Sequence, residues 1–244
     1  MTAIRNHSHI PLIAIAAIVI AGCGGGTTNP EPAPTAKTHI LADGDQWQYS
    51  LTGSEVLGGT NFTLNGTDTQ VVSKTTLNGT PVLAITTTDD FLANGQHITV
   101  SDITYESQDP VSGDLKLVAD TRGPNNSLRT VTGDQVVNKG TFGAGFTSKA
   151  TITFDNGDTQ TDNVTVEGHT FVTVPSGTYN TWQEAVTKND TNGQLSNDVE
   201  WWAPEIGGFV KENVNGSQPG FEIHITLALL STTVVPPTPS ATPR

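Results

Sequence analysis

The chain has 244 residues, with 11 Lys and Arg against 24 Asp and Glu, a formal net charge of −13 and a sequence pI of about 4.6. A hydrophobic content of 34% and a single cysteine exclude a multi-span membrane protein, a coiled coil and a disulfide-stapled scaffold, and the charge excludes a basic nucleic-acid binder. Roughly one residue in six is Thr, which favours strands and turns over helix.

At the N-terminus, Met1 to His9 is polar and carries Arg5, and Ile10 to Ala21 is an uncharged run of about twelve residues. That run suits a secretory h-region and is too short for a bilayer-spanning helix, which needs about 20 residues. It ends in Ile20-Ala21-Gly22-Cys23. These four residues resemble the lipobox of bacterial lipoproteins. The resemblance implies diacylglycerol on the Cys23 thiol, cleavage before Cys23 and acylation of the new amino terminus. Cleavage leaves 244 − 22 = 222 residues and, with Arg5 gone, a charge of 10 − 24 = −14. Cys23 is then a membrane anchor rather than a nucleophile or metal ligand, and two or more acyl chains make that anchor stable. In enterobacterial lipoproteins an Asp after the cysteine retains the protein at the inner membrane. Gly24 stands there in this chain, so the resemblance points to the cell envelope and to the outer membrane before the inner. Residues 23–38, rich in Gly and then Pro, read as a flexible tether.

From 39 to 231 the chain reads as one all-β domain, a single antiparallel sandwich or an open, curved barrel of hairpins with little or no helix. No apolar stripe of helical period is long enough to compete, and turn residues recur every eight to twelve positions. Trp47, Tyr49 and Leu51 alternate with polar neighbours as a half-buried strand does. Asn78-Gly79 joins two strands as a hairpin. The pentapeptide TLNGT occurs at Thr63 and again at Thr76, which suggests successive hairpins. Asp155 to Asp158, Asn189 to Gly193 and Pro175 to Gly177 read as further turns, and Glu222 to Leu230 as the last strand. Residues 232–244 form a Pro/Thr-rich tail with nothing to bury, expected to be disordered.

Two motifs lie in the second half, Val172-Thr173-Val174-Pro175-Ser176-Gly177-Thr178-Tyr179 and Trp201-Trp202-Ala203-Pro204-Glu205-Ile206-Gly207. They resemble the patterns V-x-V-P-[AS]-G-T-[FY] and W-[YW]-A-P-x-[IV]-G of a group of secreted bacterial β-proteins of unknown function. The resemblance covers about a fifth of the chain and implies a curved antiparallel sheet but no known chemistry. Gly208 departs from it, standing where the group usually has a larger apolar residue. Trp201 and Trp202 are adjacent and should face opposite sides of their strand, with Trp202 inward. Trp182, Trp201 and Trp202 are the candidate binding-surface aromatics.

Catalytic signatures are missing: there is no nucleophile elbow, zinc-protease motif, P-loop or dinucleotide fingerprint in a suitable context. His39, His97, His169 and His224 are not spaced as metal ligands. Asp155 to Asp158 with Asp162 resembles a calcium loop but fails its pattern. The acidic charge, spread along the sequence, suits a soluble monomeric surface. The chain is therefore expected to be a non-enzymatic, lipid-anchored envelope protein without a cofactor or a nucleic-acid partner, whose β-domain binds an apolar ligand or another envelope protein. A structural, surface-displayed module is the alternative, and a hydrolase using two carboxylates in a cleft is a third.

Overall fold

In the computed structural model, residues 37–122, 126–133, 136–138, 140, 143–191 and 193–235 are described. The signal-peptide segment, Cys23, most of the tether and the tail from 236 onward lie outside the described residues.

The first strands show how local sequence sets the pattern. β1 (Gln46–Leu57) buries Trp47, Tyr49 and Leu51 on one face. Gly58-Gly59 turns it into β2 (Thr60–Leu77), Asn78-Gly79 leads into β3 (Thr80–Ala93) and Asn94-Gly95 into β4 (Gln96–Gln108). Both residues of each link have positive φ, between 49° and 82°. This turn geometry matches the right-handed twist of paired strands, and Asn and Gly tolerate it best. Four shorter strands follow: β5 (Leu115–Arg122), β6 (Ser127–Thr130), β7 (Val136–Asn138) and β8 (Thr147–Thr153). The meander then resumes with β9 (Thr159–Val174), β10 (Gly177–Asp190), β11 (Leu195–Ala203), β12 (Gly208–Gln218) and β13 (Phe221–Thr232).

The all-β expectation agrees with this structure. One antiparallel sheet runs β6-β5-β4-β3-β2-β1-β13-β12-β11-β10-β9-β8, with β7 beside β5. Along this path each strand pairs with its sequence neighbour except where β1 meets β13, which brings the two ends of the described chain to the middle of the sheet. The sheet curls until its edges approach. There the ladder is interrupted, and among the described residues the bridge Val131–Phe154 marks where they meet. Thr132 N–H donates to the Thr153 carbonyl at 2.8 Å, and Asp155 N–H to the Thr130 carbonyl at 2.9 Å. The result is a barrel with one incomplete seam.

Expected turn spacing fails in the first half, where β2 alone has 18 residues. Only the second TLNGT turns; Asn65-Gly66 in the first runs through β2. Gly66 is needed there for a different reason. A Cβ on it would lie 2.1 Å from the Asp90 carbonyl oxygen, so the glycine lets β2 press on β3 where the sheet bends. Gly53 plays the same part in β1, against the His224 carbonyl.

The apolar core is centred on β1, β12 and β13, with Tyr49 stacked on Phe209 at 4.4 Å between ring centroids. Order extends past Ser231. Thr232 and Thr233 donate side-chain hydrogen bonds to the Gln46 and Gly44 carbonyls, and Val234 is buried in the core. At the other end, buried Thr38 donates to the Gly140 carbonyl. His39 N–H and Leu41 N–H then tie the chain to Pro204 and to the Gln108 side chain. The segment before β1 thus lies across one end of the barrel.

Candidate functional site

The concave face of the curled sheet holds a cavity of about 270 Å³. Alternation on the strands sends every second side chain into it. Trp47, Ile85, Leu115, Ile152, Val186, Trp202 and Phe209 form its apolar wall, and Leu41 from the N-terminal segment closes one end. Glu106, Asp120, Asp162, Glu184 and Glu200 supply carboxyl groups to the same space, with Lys188 beside them.

Those carboxyls belong to a larger belt of acids across the strands, which corrects the expectation of a charge carried on the surface. Asp68, Asp89, Asp120, Asp162, Glu184, Asp198 and Glu212 are all buried. On the first wall, Asp68 of β2 faces Asp89 of β3 directly, and their side chains share a hydrogen bond. A bond between two carboxyl groups needs a proton on one of them. Burial pushes Asp68 up to about 7 and Asp89 up to about 8, in the second case helped by the Asp68 charge. Asp102 of β4 rises to about 7 through burial and the nearby Asp89 and Asp120 charges, and burial alone takes Glu106 to about 7.

On the second wall, Glu184, Glu200 and Glu212 lie directly opposite one another on β10, β11 and β12. Ionised, they would repel at this spacing. Burial, followed by repulsion from Glu200, raises Glu184 and Glu212 well above the usual carboxylate range. Asp198 reaches about 9 by burial, although Asn215 N–H donates to its Oδ1. Glu212 is 0% exposed and neither carboxyl oxygen has a hydrogen-bond partner; Glu184 is 3% exposed and its Oε1 has none. Tyr49 sits between the walls, opposite Asp68. Its hydroxyl donates to the Phe209 carbonyl at 3.1 Å, and burial together with the surrounding acids keeps it protonated.

One acid differs. Asp120 receives a two-pronged contact from Arg129, Nε to Oδ1 at 2.9 Å and Nη2 to Oδ2 at 2.6 Å. Arg129 also reaches Asp158 at 3.2 Å and lies 3.8 Å over the Phe154 ring. Arg122 contacts Asp120, Asp190 and Gln160. These two guanidinium groups link β5 and β6 to β9, β10 and the hairpin before β9. They clamp the seam where the backbone ladder is interrupted.

The sequence-derived site residues fall in three places. Trp202, 8% exposed, lines the cavity, as its inward assignment requires. Trp201 lies on the other face of β11 with the Lys211 ammonium 4.9 Å above its ring. A bulge between the two, opposite Val210, leaves them still on opposite faces. Trp182 is buried opposite Trp202 and meets His169 edge-on, outside the cavity wall. Cys23 lies outside the described residues. The departure at Gly208 has a steric cause, because a Cβ there would stand 3.0 Å from Trp47 Nε1. The Trp47 indole fills that space and donates to the Ile206 carbonyl at 3.2 Å.

The acids of the apparent calcium loop have other tasks. Asp155 accepts from Thr130 N–H, Asp158 takes Arg129, and Asp162 enters the cavity wall. Glu222 and His224 do not form a pair with each other; His224 Nδ1 meets Asn215 Oδ1 at 2.9 Å. Among the described residues no group of three His, Cys, Asp or Glu side chains is disposed to hold a metal ion, and no helix is long and apolar enough to cross a membrane.

No family model matches the chain, and no curated protein matches it. Two solved structures are similar in outline. One, from Bacteroides fragilis, is described as an exported protein with a YmcC-like fold. It is 12% identical over 81% of this chain and 99% of its own, with a TM-score of 0.39. The other, from Parabacteroides distasonis, is described as a lipoprotein and is 11% identical over 83% of this chain and 100% of its own, also with a TM-score of 0.39.

Proposed function

We propose that the chain is a lipid-anchored cell-envelope protein, held to the membrane through Cys23, whose curled sheet binds a small molecule and catalyses nothing. The observation that carries the binding half is the cavity on the concave face, with an apolar wall, a few polar groups and a volume of about 270 Å³. Small-molecule sites combine these features and run to roughly 300–1,000 Å³, so the occupant is small. The anchor rests on Ile20-Ala21-Gly22-Cys23 and the apolar run before it.

The acids favour binding over hydrolysis. An acid–base pair works when its two environments push the pKa values apart. Here Glu106, Asp162, Glu184 and Glu200, all in the cavity wall, are pushed the same way by burial. Such a set lacks the divergent pair that an acid and a base require.

Two measurements test the two halves. Intact mass of protein taken from native membranes should show loss of Met1 to Gly22 and a gain of acyl mass; a soluble chain with unmodified Cys23 removes the anchor. Small aromatic alcohols should raise the thermal midpoint of the full chain but not of Val186→Trp, which fills the cavity. No rise in either protein would leave a structural module as the better description.

A further inference from the structure

We propose that the cavity takes a small organic ammonium ion, an amine with an apolar or aromatic body, seated between Glu184 and the indole of Trp202. The inference rests on the binding reading above and names the class of ligand.

The first argument is the set of carboxyl groups, which a cation can convert to carboxylates as it arrives. Five acids line the cavity against one lysine, and of these Asp120 is already engaged by Arg122 and Arg129. Glu184 provides the second, independent observation. It is 3% exposed, it lines the cavity, and its Oε1 has no hydrogen-bond partner in the protein. A buried polar atom left unpaired is unfavourable, so an N–H donor brought by a ligand gains where a purely apolar molecule does not. The third argument is the aromatic wall of Trp47, Trp202 and Phe209, since indole and phenyl faces attract organic cations. A metal ion fits less well. It needs several converging ligands, and no such group of three side chains occurs among the described residues.

The arrangement also specifies a proton. Burial keeps Glu184 protonated in the empty cavity, facing Glu200 on β11, with Asp162 on β9, Lys188 further along β10 and Glu106 and Asp120 on β4 and β5. An arriving ammonium group stabilises the carboxylate, so the carboxyl proton leaves to solvent as the ion pair forms. Amine affinity should therefore rise with pH through neutrality, while a neutral ligand of the same shape shows no such rise.

The probes are phenethylamine and 2-phenylethanol, which differ in an ammonium against a hydroxyl. Each is titrated into the full chain by calorimetry and by tryptophan fluorescence. Phenethylamine should bind at least about tenfold more tightly than the alcohol, and Glu184→Gln should abolish that preference. The comparison in the unaltered chain stands by itself if the variant fails to fold. Equal binding of both probes overturns the ammonium assignment and leaves the cavity reading intact. A preference that survives Glu184→Gln places the amine elsewhere and also overturns it. If neither probe binds at about 50 mM, both readings fall together.

Discussion

Asp120 and Glu184 line the same cavity and are equally buried, yet the protein treats them in opposite ways. Asp120 has a bidentate arginine, a second arginine beside it and a place at the seam of the barrel. Glu184 faces another glutamate and keeps an oxygen unpaired. The same side-chain chemistry therefore serves two ends. Where the backbone ladder is interrupted, the acid is matched by arginine and holds the edges together; where the ladder is complete, the acid is left unmatched and facing the cavity. A buried acid that is paired reports on architecture, and one that is not points to something the protein binds.

The largest effect should come from breaking the matched half. Arg129→Ala leaves Asp120 buried without its bidentate partner and removes the contact to Asp158, so it should lower the unfolding free energy by about 3–5 kcal/mol in urea denaturation. A loss under about 1 kcal/mol would show that the bridge at Val131 and Phe154 closes the seam without help.

Truncating the apolar wall comes close behind. Trp202→Ala should cost about 3–5 kcal/mol, as expected for a large buried aromatic. Trp201→Ala, on the outer face under Lys211, should cost about 1 kcal/mol. Equal losses would mean that both faces of β11 are covered.

The smallest change sharpens the unmatched half. Glu184 has its folded pKa raised above the unfolded value, so ionisation at higher pH opposes folding. Glu184→Gln should match the parent protein near pH 4 and become the more stable of the two as pH rises, read from urea midpoints across the pH range. A variant that is less stable at every pH would show that Glu184 has an ionised partner.

Much of the fold was legible in the chain. The alternation of Trp47, Tyr49 and Leu51 marks β1, and Asn78-Gly79 marks the hairpin of β2 and β3, because both depend on local geometry. The long strands were not legible, since Asn65-Gly66 carries the same letters as a turn while its role, contact with Asp90 and Phe91, is set by a neighbouring strand. The acid belt was half legible. Glu212 alternates with Val210 and Val214, and Glu184 with Trp182 and Val186, so each stands at an inward position of its strand. Their assembly into one wall depends on the register of β10, β11 and β12, which local sequence does not set. Arg129 and Asp120 meet through the register of β5 against β6, which local sequence does not set.

The central claim is that the interior of the barrel is a store of protonated acids. Unfolding free energy measured against pH tests it most directly. Asp68, Asp102 and Glu106, with folded pKa values of about 7, Asp89 at about 8 and Asp198 at about 9, each contribute stability that is full below the unfolded carboxyl range. That contribution is lost as pH rises through the folded values. The protein should therefore be most stable on the acid side of neutrality and weaken steadily to about pH 9. A stability that is flat or rising between about pH 5 and pH 9 would contradict the account, because it would require these buried carboxyls to be ionised in the folded state.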